Sequence, residues 1–435
     1  MRQSTSGMRT ACAVLALAIA GCAGGCYGMP RIGGTKGGAG GSGGVGGATG
    51  GNSADAGDAG ADADRGGCPA TCPGPSTGPT TGSGSCVNDE CRVSCNSTFP
   101  TLCTAANACV DLTSDAKNCG ACSHDCQGGT CAGGSCQPVM IAQYFGHPQI
   151  IYVGAETVYV TTDVGYVGRA RKDGSDLKPV AMPGFASSAF VGTVLAEDGD
   201  RVFFVRIPAG TIQLSYCLTT GCDSTAMPIG GPYAQYFAVD QTNHKIVWVD
   251  YSPSRLVSAS TVGTISGLDV PGGTLADGSS GSRLLYAQGG VYFSDGSSVS
   301  RIPVAGGSIA TITTGSAPLT ILGANSSALF LHDGNAISWV PLPSGDGRGP
   351  KALIVATVTV NVDGRFAADD GSIYWVSNGQ ANTCEVSNCA ATLEALPQRA
   401  ADRVGDLGLD AAAVYWVADS SDADAVISTV WKLAR

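Results

Sequence analysis

Cysteine is the residue type in this chain with the most chemistry to offer. Of nineteen cysteines, fifteen fall before residue 137, and twelve of those lie between Cys68 and Cys136. Thiolates so closely spaced either close disulfides or hold a metal, and Cys119-x-x-Cys122 with the cysteines after it has an interval that zinc or an iron–sulfur cluster would accept. Both metal readings need thiolates kept reduced, and the only imidazole nearby is His124. The twelve cysteines here and the four that follow (Cys217, Cys222, Cys384 and Cys389) are even numbers, as an all-disulfide framework requires. Nineteen are too many for a reducing compartment without a metal, so oxidised bridges and an exported protein are expected. The segment also has too few large apolar side chains (Phe99, Leu102, Val110, Leu112) to fold without bridges.

A second set of candidates recurs downstream. Asp163, Asp250, Asp295, Asp333 and Asp419 each follow a short apolar run, Asn378 follows a sixth, and only the run before Arg206-Ile207 lacks such a residue. Carboxylates gathered on one face would hold a divalent cation such as calcium, or a cationic ligand. The simpler role of Asp and Asn at such places is to bond their own turn. Arg283 and Arg365 each stand nine residues before the aromatic of their run, where they could receive carboxylate or phosphate groups or pair with loop aspartates. Catalysis finds little support: His124, His147, His244 and His332 are far apart, and only His147 and His332 fall at the same end of the repeats as the acids. Ser175-Asp176-Leu177-Lys178 matches S-x-x-K and Gly40–Gly44 matches G-x-S-x-G, but neither lies where a helix can present a nucleophile. No cofactor is otherwise called for.

The elements that must position these residues follow from the apolar runs. They read Val158-Tyr159-Val160, Val202-Phe203-Phe204-Val205, Ile246-Val247-Trp248-Val249, Val291-Tyr292-Phe293, Ala328-Leu329-Phe330-Leu331, Ile373-Tyr374-Trp375-Val376 and Val414-Tyr415-Trp416-Val417. Their second residues lie 44, 44, 45, 37, 45 and 41 positions apart. Strands and turns repeating at that interval are the mark of a β-propeller, one blade per repeat. The expected fold class is therefore all-β: a seven-bladed propeller over 139–435, preceded by a small disulfide-rich module and a disordered Gly-rich linker. The apolar run is the second strand of each blade, sandwiched between neighbouring blades and so apolar on both faces. In repeat two the four strands are expected at Phe190–Ala196, Arg201–Ile207, Thr211–Leu218 and Ser224–Ile229. The last repeat has an inner strand near Leu407–Asp410, two more strands, and then no residues left for a fourth. The spare strand-like segment Val139–Tyr144 is expected to complete it and cover the exposed edge. Cys217-x4-Cys222 and Cys384-x4-Cys389 both fall between third and fourth strands, where a small disulfide would close the outer turn.

Composition bounds the partners. A formal charge of −11 with no basic run excludes nucleic acid, whose binding draws on clustered Lys and Arg. Between Gly33 and Gly67 the chain is nearly all Gly, Ala, Ser and Asp and cannot seed a core, so a flexible tether is expected.

Three resemblances sharpen this. Arg2 and Arg9 precede the apolar stretch Ala11–Ala20, which ends in Ile19-Ala20-Gly21-Cys22 and resembles a bacterial lipobox. That resemblance implies that residues 1–21 are a signal peptide, that Cys22 carries the lipid, and, with Ala23 in place of aspartate, that the anchor lies in the outer membrane. Residues 22–67 would then be anchor and linker, and 68–138 the cysteine-rich module. Within that module, Cys109-Val110-Asp111-Leu112, Asp115, Asn118-Cys119-Gly120, Cys122, Cys126, Cys131 and Cys136 resemble the stigma-specific type of cysteine-rich repeat, which implies a small extracellular module. The period and the V-Y-W-V strands resemble the wider propeller superfamily of NHL-like, lactonase-like and streptogramin-lyase-like members. The expectation is a monomeric surface lipoprotein that presents its propeller as a non-catalytic binding or scaffold module for an envelope protein, a glycan or a secreted ligand. The other reading is a propeller lyase or lactonase-like hydrolase working at the channel mouth with a bound metal.

Overall fold

The structure is a computed structural model, and it describes residues 83–87, 90–104, 108–181, 195–206, 211–221, 226–229, 236–251, 254–274, 284–334, 336–342, 352–356, 366–398, 402–420 and 427–435. Gly66–Arg435 forms one compact unit. Its carboxy-terminal part is seven four-stranded antiparallel sheets. Blade 1 has its second strand at Thr157–Thr162, blade 2 at Arg201–Arg206, blade 3 at Lys245–Tyr251 and blade 4 at Gly290–Ser294. In blades 5, 6 and 7 the second strands are Ala328–His332, Ser372–Ser377 and Ala413–Ser420. The inner strand of each blade touches that of the next, and Arg403–Leu409 of blade 7 touches Pro148–Val153 of blade 1, so the sheets close into a ring.

The apolar runs make the ring, because alternate residues of one strand point to opposite faces of its sheet. Val158 and Val160 pack against Tyr415 and Val417 of blade 7, whereas Tyr159 between them packs against Val202 and Phe204 of blade 2. Phe203 and Val205 then meet Ile246 and Trp248, and Val247 and Val249 meet Val291 and Phe293. The alternation continues through Tyr292 with Leu329 and Leu331, Phe330 with Ile373 and Trp375, and Tyr374 and Val376 with Val414 and Trp416. There are seven cores for seven interfaces. Each blade is thus held by both neighbours, and no blade has a core of its own.

Val139–Phe145 is the fourth strand of blade 7, paired antiparallel with Ile427–Ala434. Tyr144 on this strand reaches blade 1, where a Cβ on Gly168 would come within 2.0 Å of its ring. A glycine is needed there for close approach rather than for a turn. The inner strand of blade 7 runs Arg403–Leu409, four residues earlier than expected at its start. Arg403, Gly405 and Asp406 hide it from a hydrophobicity reading. Asp406 is nonetheless 8% exposed, and its Oδ2 accepts the Ile151 N–H at 3.0 Å, tying blade 7 to blade 1. Of the expected repeat-two strands, the structure describes Leu195–Asp198, Arg201–Arg206, Gln213–Leu218 and Met227–Pro228.

Among the described residues, four disulfides brace the segment before the propeller: Cys95–Cys109, Cys103–Cys122, Cys119–Cys131 and Cys126–Cys136. The sulfurs of Cys119, Cys126 and Cys136 lie within 4.8 Å of one another, and each belongs to a bridge. His124 bonds the Cys119 carbonyl instead of joining them. Asp111 explains the C-V-D-L sequence: it accepts the Thr113 N–H at 2.9 Å and the Thr113 and Ser114 hydroxyls, which cap a turn. Gly120 has φ +74°, and a Cβ there would meet the Gly134 carbonyl oxygen at 2.5 Å, so N-C-G admits no larger third residue. Cys119, Cys126 and Cys136 pack into the same core as Trp416 and Trp431, which seats the module on blade 7.

Candidate functional site

The loops after the second strands share one face of the ring, and the recurrent acids all fall there. Asp163 follows its strand directly, and its Oδ1 accepts the His147 N–H at 2.8 Å. His147 lies between the closing strand and the inner strand of blade 1, and its Nδ1 is 3.2 Å from Asp419 Oδ2. Three residues from 147 to 419 therefore meet where the chain closes, a meeting that spacing could not reveal. The side chain of His147 is 52% exposed, so the cluster is open to solvent. Thr162 beside it is fully buried with its hydroxyl lacking a hydrogen-bond partner.

The other acids serve their own hairpins. Asp295 Oδ1 accepts the N–H groups of Ser297 and Ser298 at 2.8 and 2.6 Å. These bonds outweigh the opposing effect of burial and hold its carboxyl below the ordinary range. Asp333 accepts the Ala336 N–H at 3.0 Å. Asp250 lies 3.5 Å from Arg255, which also holds Asp269 at 2.7 Å. Asn378 takes the left-handed conformation with φ +53°, as Asn tolerates. His332 is 3% exposed and accepts the Gly334 N–H at 3.4 Å, away from the His147 cluster.

On the opposite face the turns between first and second strands carry a girdle of bonds between blades. Tyr159 donates to Glu197 Oε1 of blade 2 at 2.9 Å, and Gln241 of blade 3 donates to the Glu197 carbonyl at 2.7 Å. Asp198, 4% exposed, receives His244 of blade 3 at 3.1 Å and the Thr261 hydroxyl. Ser326 of blade 5 donates to Asp370 of blade 6 at 2.6 Å. Lys172 of blade 1 donates to Asp410 of blade 7 at 2.6 Å, and Arg435 pairs with Asp369. Sequence reasoning passed over Glu197, Asp198 and Asp410. The signal available was an acid in five of the seven short turns between first and second strands, with Gln288 and Asn325 in the turns of blades 4 and 5.

Comparison with known proteins adds the fold and nothing finer. No family model matches the sequence, and no curated protein matches it. Among solved structures, the β-propeller domain of Cps50 (Swd1) from Myceliophteria thermophila is similar over 68% of this chain and 99% of its own, at 10% identity and TM-score 0.50. The AfRom2 CNH domain is similar over 68% and 99%, at 9% identity and TM-score 0.45. The likeness is one of architecture, and architecture does not fix function.

Cys384 and Cys389 form a disulfide that bridges the third strand of blade 6 to the one-turn helix Cys389–Thr392. Cys217 is also disulfide-bonded. Cys222, Arg283, Arg365 and the lipobox-like Cys22 lie outside the described residues.

Proposed function

We propose that this chain is an exported lipoprotein, anchored through Cys22 to the cell envelope, whose propeller is a non-catalytic binding or scaffold module. Support for export comes from the oxidised bridges, and for the anchor from Ile19-Ala20-Gly21-Cys22 behind a short apolar stretch. The binding reading rests on one observation: the loop face gathers His147, Asp163 and Asp419 in an exposed cluster where the ring closes. Such a face suits an envelope protein, a glycan or a secreted ligand that presents hydrogen-bonding groups. The period and second strands support kinship with the NHL-like, lactonase-like and streptogramin-lyase-like propellers.

Two experiments test the proposal. Labelling cells with a palmitate analogue is expected to tag the wild-type chain and not Cys22→Ser; equal or absent labelling of both defeats the anchor. Full-length chain applied to glycan arrays and to fractionated envelope proteins is expected to retain a ligand that His147→Ala and Asp419→Ala release. A ligand kept by both variants would move the binding face elsewhere.

A further inference from the structure

Two bridges of the cysteine-rich module lie side by side. Cys119–Cys131 and Cys126–Cys136 each join the turn 119–126 to the hairpin 131–136. The sulfurs of Cys119, Cys126 and Cys136 are within 4.8 Å of one another, and Cys131 Sγ is bonded to that of Cys119, so four sulfurs gather at one point. The first three residues are 0%, 2% and 6% exposed. None of these cysteines belongs to the loop-face cluster.

Backbone bonds that do not involve sulfur shape the two elements. Cys119 N–H donates to the His124 carbonyl at 2.9 Å and Cys126 N–H to the Ala116 carbonyl at 2.8 Å, which folds the turn. Cys131 and Cys136 are direct partners across a hairpin whose turn residues, Gly133 and Gly134, have φ +61° and +83°. Both are left-handed, as a two-residue hairpin turn of this kind requires. Turn and hairpin thus each present two cysteines to the same point. What they need is a tie between them, because the segment is too poor in large apolar side chains to stay together untied.

That arrangement selects an ion. Two neighbouring bridges, once opened, leave four thiols. A tetrahedral zinc ion with bonds of about 2.3 Å to sulfur holds its ligands about 3.8 Å apart. That spacing fits sulfurs already gathered within 4.8 Å. Calcium and magnesium take oxygen ligands instead. We propose that the reduced module binds one zinc ion through Cys119, Cys126, Cys131 and Cys136, the metal replacing two bridges as the tie between turn and hairpin. A dithiol reductant opens each bridge by exchange, giving up two electrons and two protons and itself closing to a disulfide. Zinc binding then forms four Zn–S bonds and releases the four thiol protons to solvent. The segment is held by disulfides in an oxidising compartment and by metal in a reducing one.

The test uses the full-length chain reduced anaerobically with a phosphine, freed of it, and titrated with cobalt(II) as a coloured stand-in for zinc; alkylation and mass count the opened thiols. The reduced chain is expected to take up cobalt with the visible absorption of a tetrahedral thiolate site, to exchange it for zinc, and to stay colourless when oxidised. Cys126→Ser with Cys136→Ser is expected to bind one cobalt fewer than wild type. Cys95→Ser with Cys109→Ser removes as many thiols outside the set and is expected to bind the same number as wild type. Cys131→His keeps four ligands, so it is expected to retain the ion while moving the absorption to shorter wavelength, and it decides the matter if the double serine variant does not fold. Bridges that stay closed under phosphine, a colourless reduced chain, equal losses in the two serine pairs, or an unmoved spectrum in Cys131→His would overturn the assignment.

Discussion

At the scale of single residues, the side chains that matter most are those shared between blades. Phe203 is fully buried between blades 2 and 3, on the opposite face from Phe204, which serves blade 1. Phe203→Ala should leave a cavity that neither rigid sheet can collapse into, lowering stability by about 3–5 kcal/mol in urea denaturation. Asp410 is a test by pH. Burial acts to raise its carboxyl, but the hydrogen bonds from Lys172 and from the N–H groups of Ala412 and Ala413 outweigh burial and hold it below the ordinary carboxylate range. A group lowered in the folded state contributes stability above its unfolded value, near about 3.9 for Asp, and loses it as pH falls through the folded value. Asp410→Asn should therefore cost about 1–2 kcal/mol at neutral pH, with the gap to wild type closing as the denaturation series is taken into acid.

Among elements, the closing strand carries the greatest consequence per residue. Without Val139–Phe145, blade 7 would expose the edge of Ile427–Ala434, and the interface with blade 1 would lose Ile141, Ala142 and Tyr144. A chain lacking residues 139–145 should associate on size exclusion through that edge, and a monomer with wild-type cooperativity would show that the latch is dispensable. A milder change probes the same interface: Gly168→Ala drives a methyl into the Tyr144 ring and should lower stability by about 1–3 kcal/mol, measured by thermal unfolding. The element most open to misreading was the inner strand Arg403–Leu409. Its charged and glycine residues look like loop, but it pairs with Ala413–Ser420 and packs against Pro148–Val153 as a strand of the ring.

For the whole molecule, the arrangement of cores predicts cooperativity. Each interface needs both of its blades, so the propeller should unfold in one transition with coincident fluorescence and circular dichroism curves. The disulfide module belongs to this unit through the core it shares with Trp416 and Trp431. Reduction under native conditions should shift tryptophan emission to longer wavelength while the β-sheet signal persists. Emission that does not move on full reduction would mean that the seat on blade 7 does not need the bridges.

The sequence by itself determined the number of blades, the second strand of each and the oxidised state of its cysteine-rich segment. Those are local matters: a strand apolar on both faces must lie between two others, and a run of residues too poor in apolar surface to fold needs covalent ties. Tertiary structure alone decided which sulfurs pair, that Tyr144 needs a glycine opposite it, and that His147, Asp163 and Asp419 come together. The last of these joins positions 272 apart in the chain, which only closure of the ring brings within reach of a hydrogen bond.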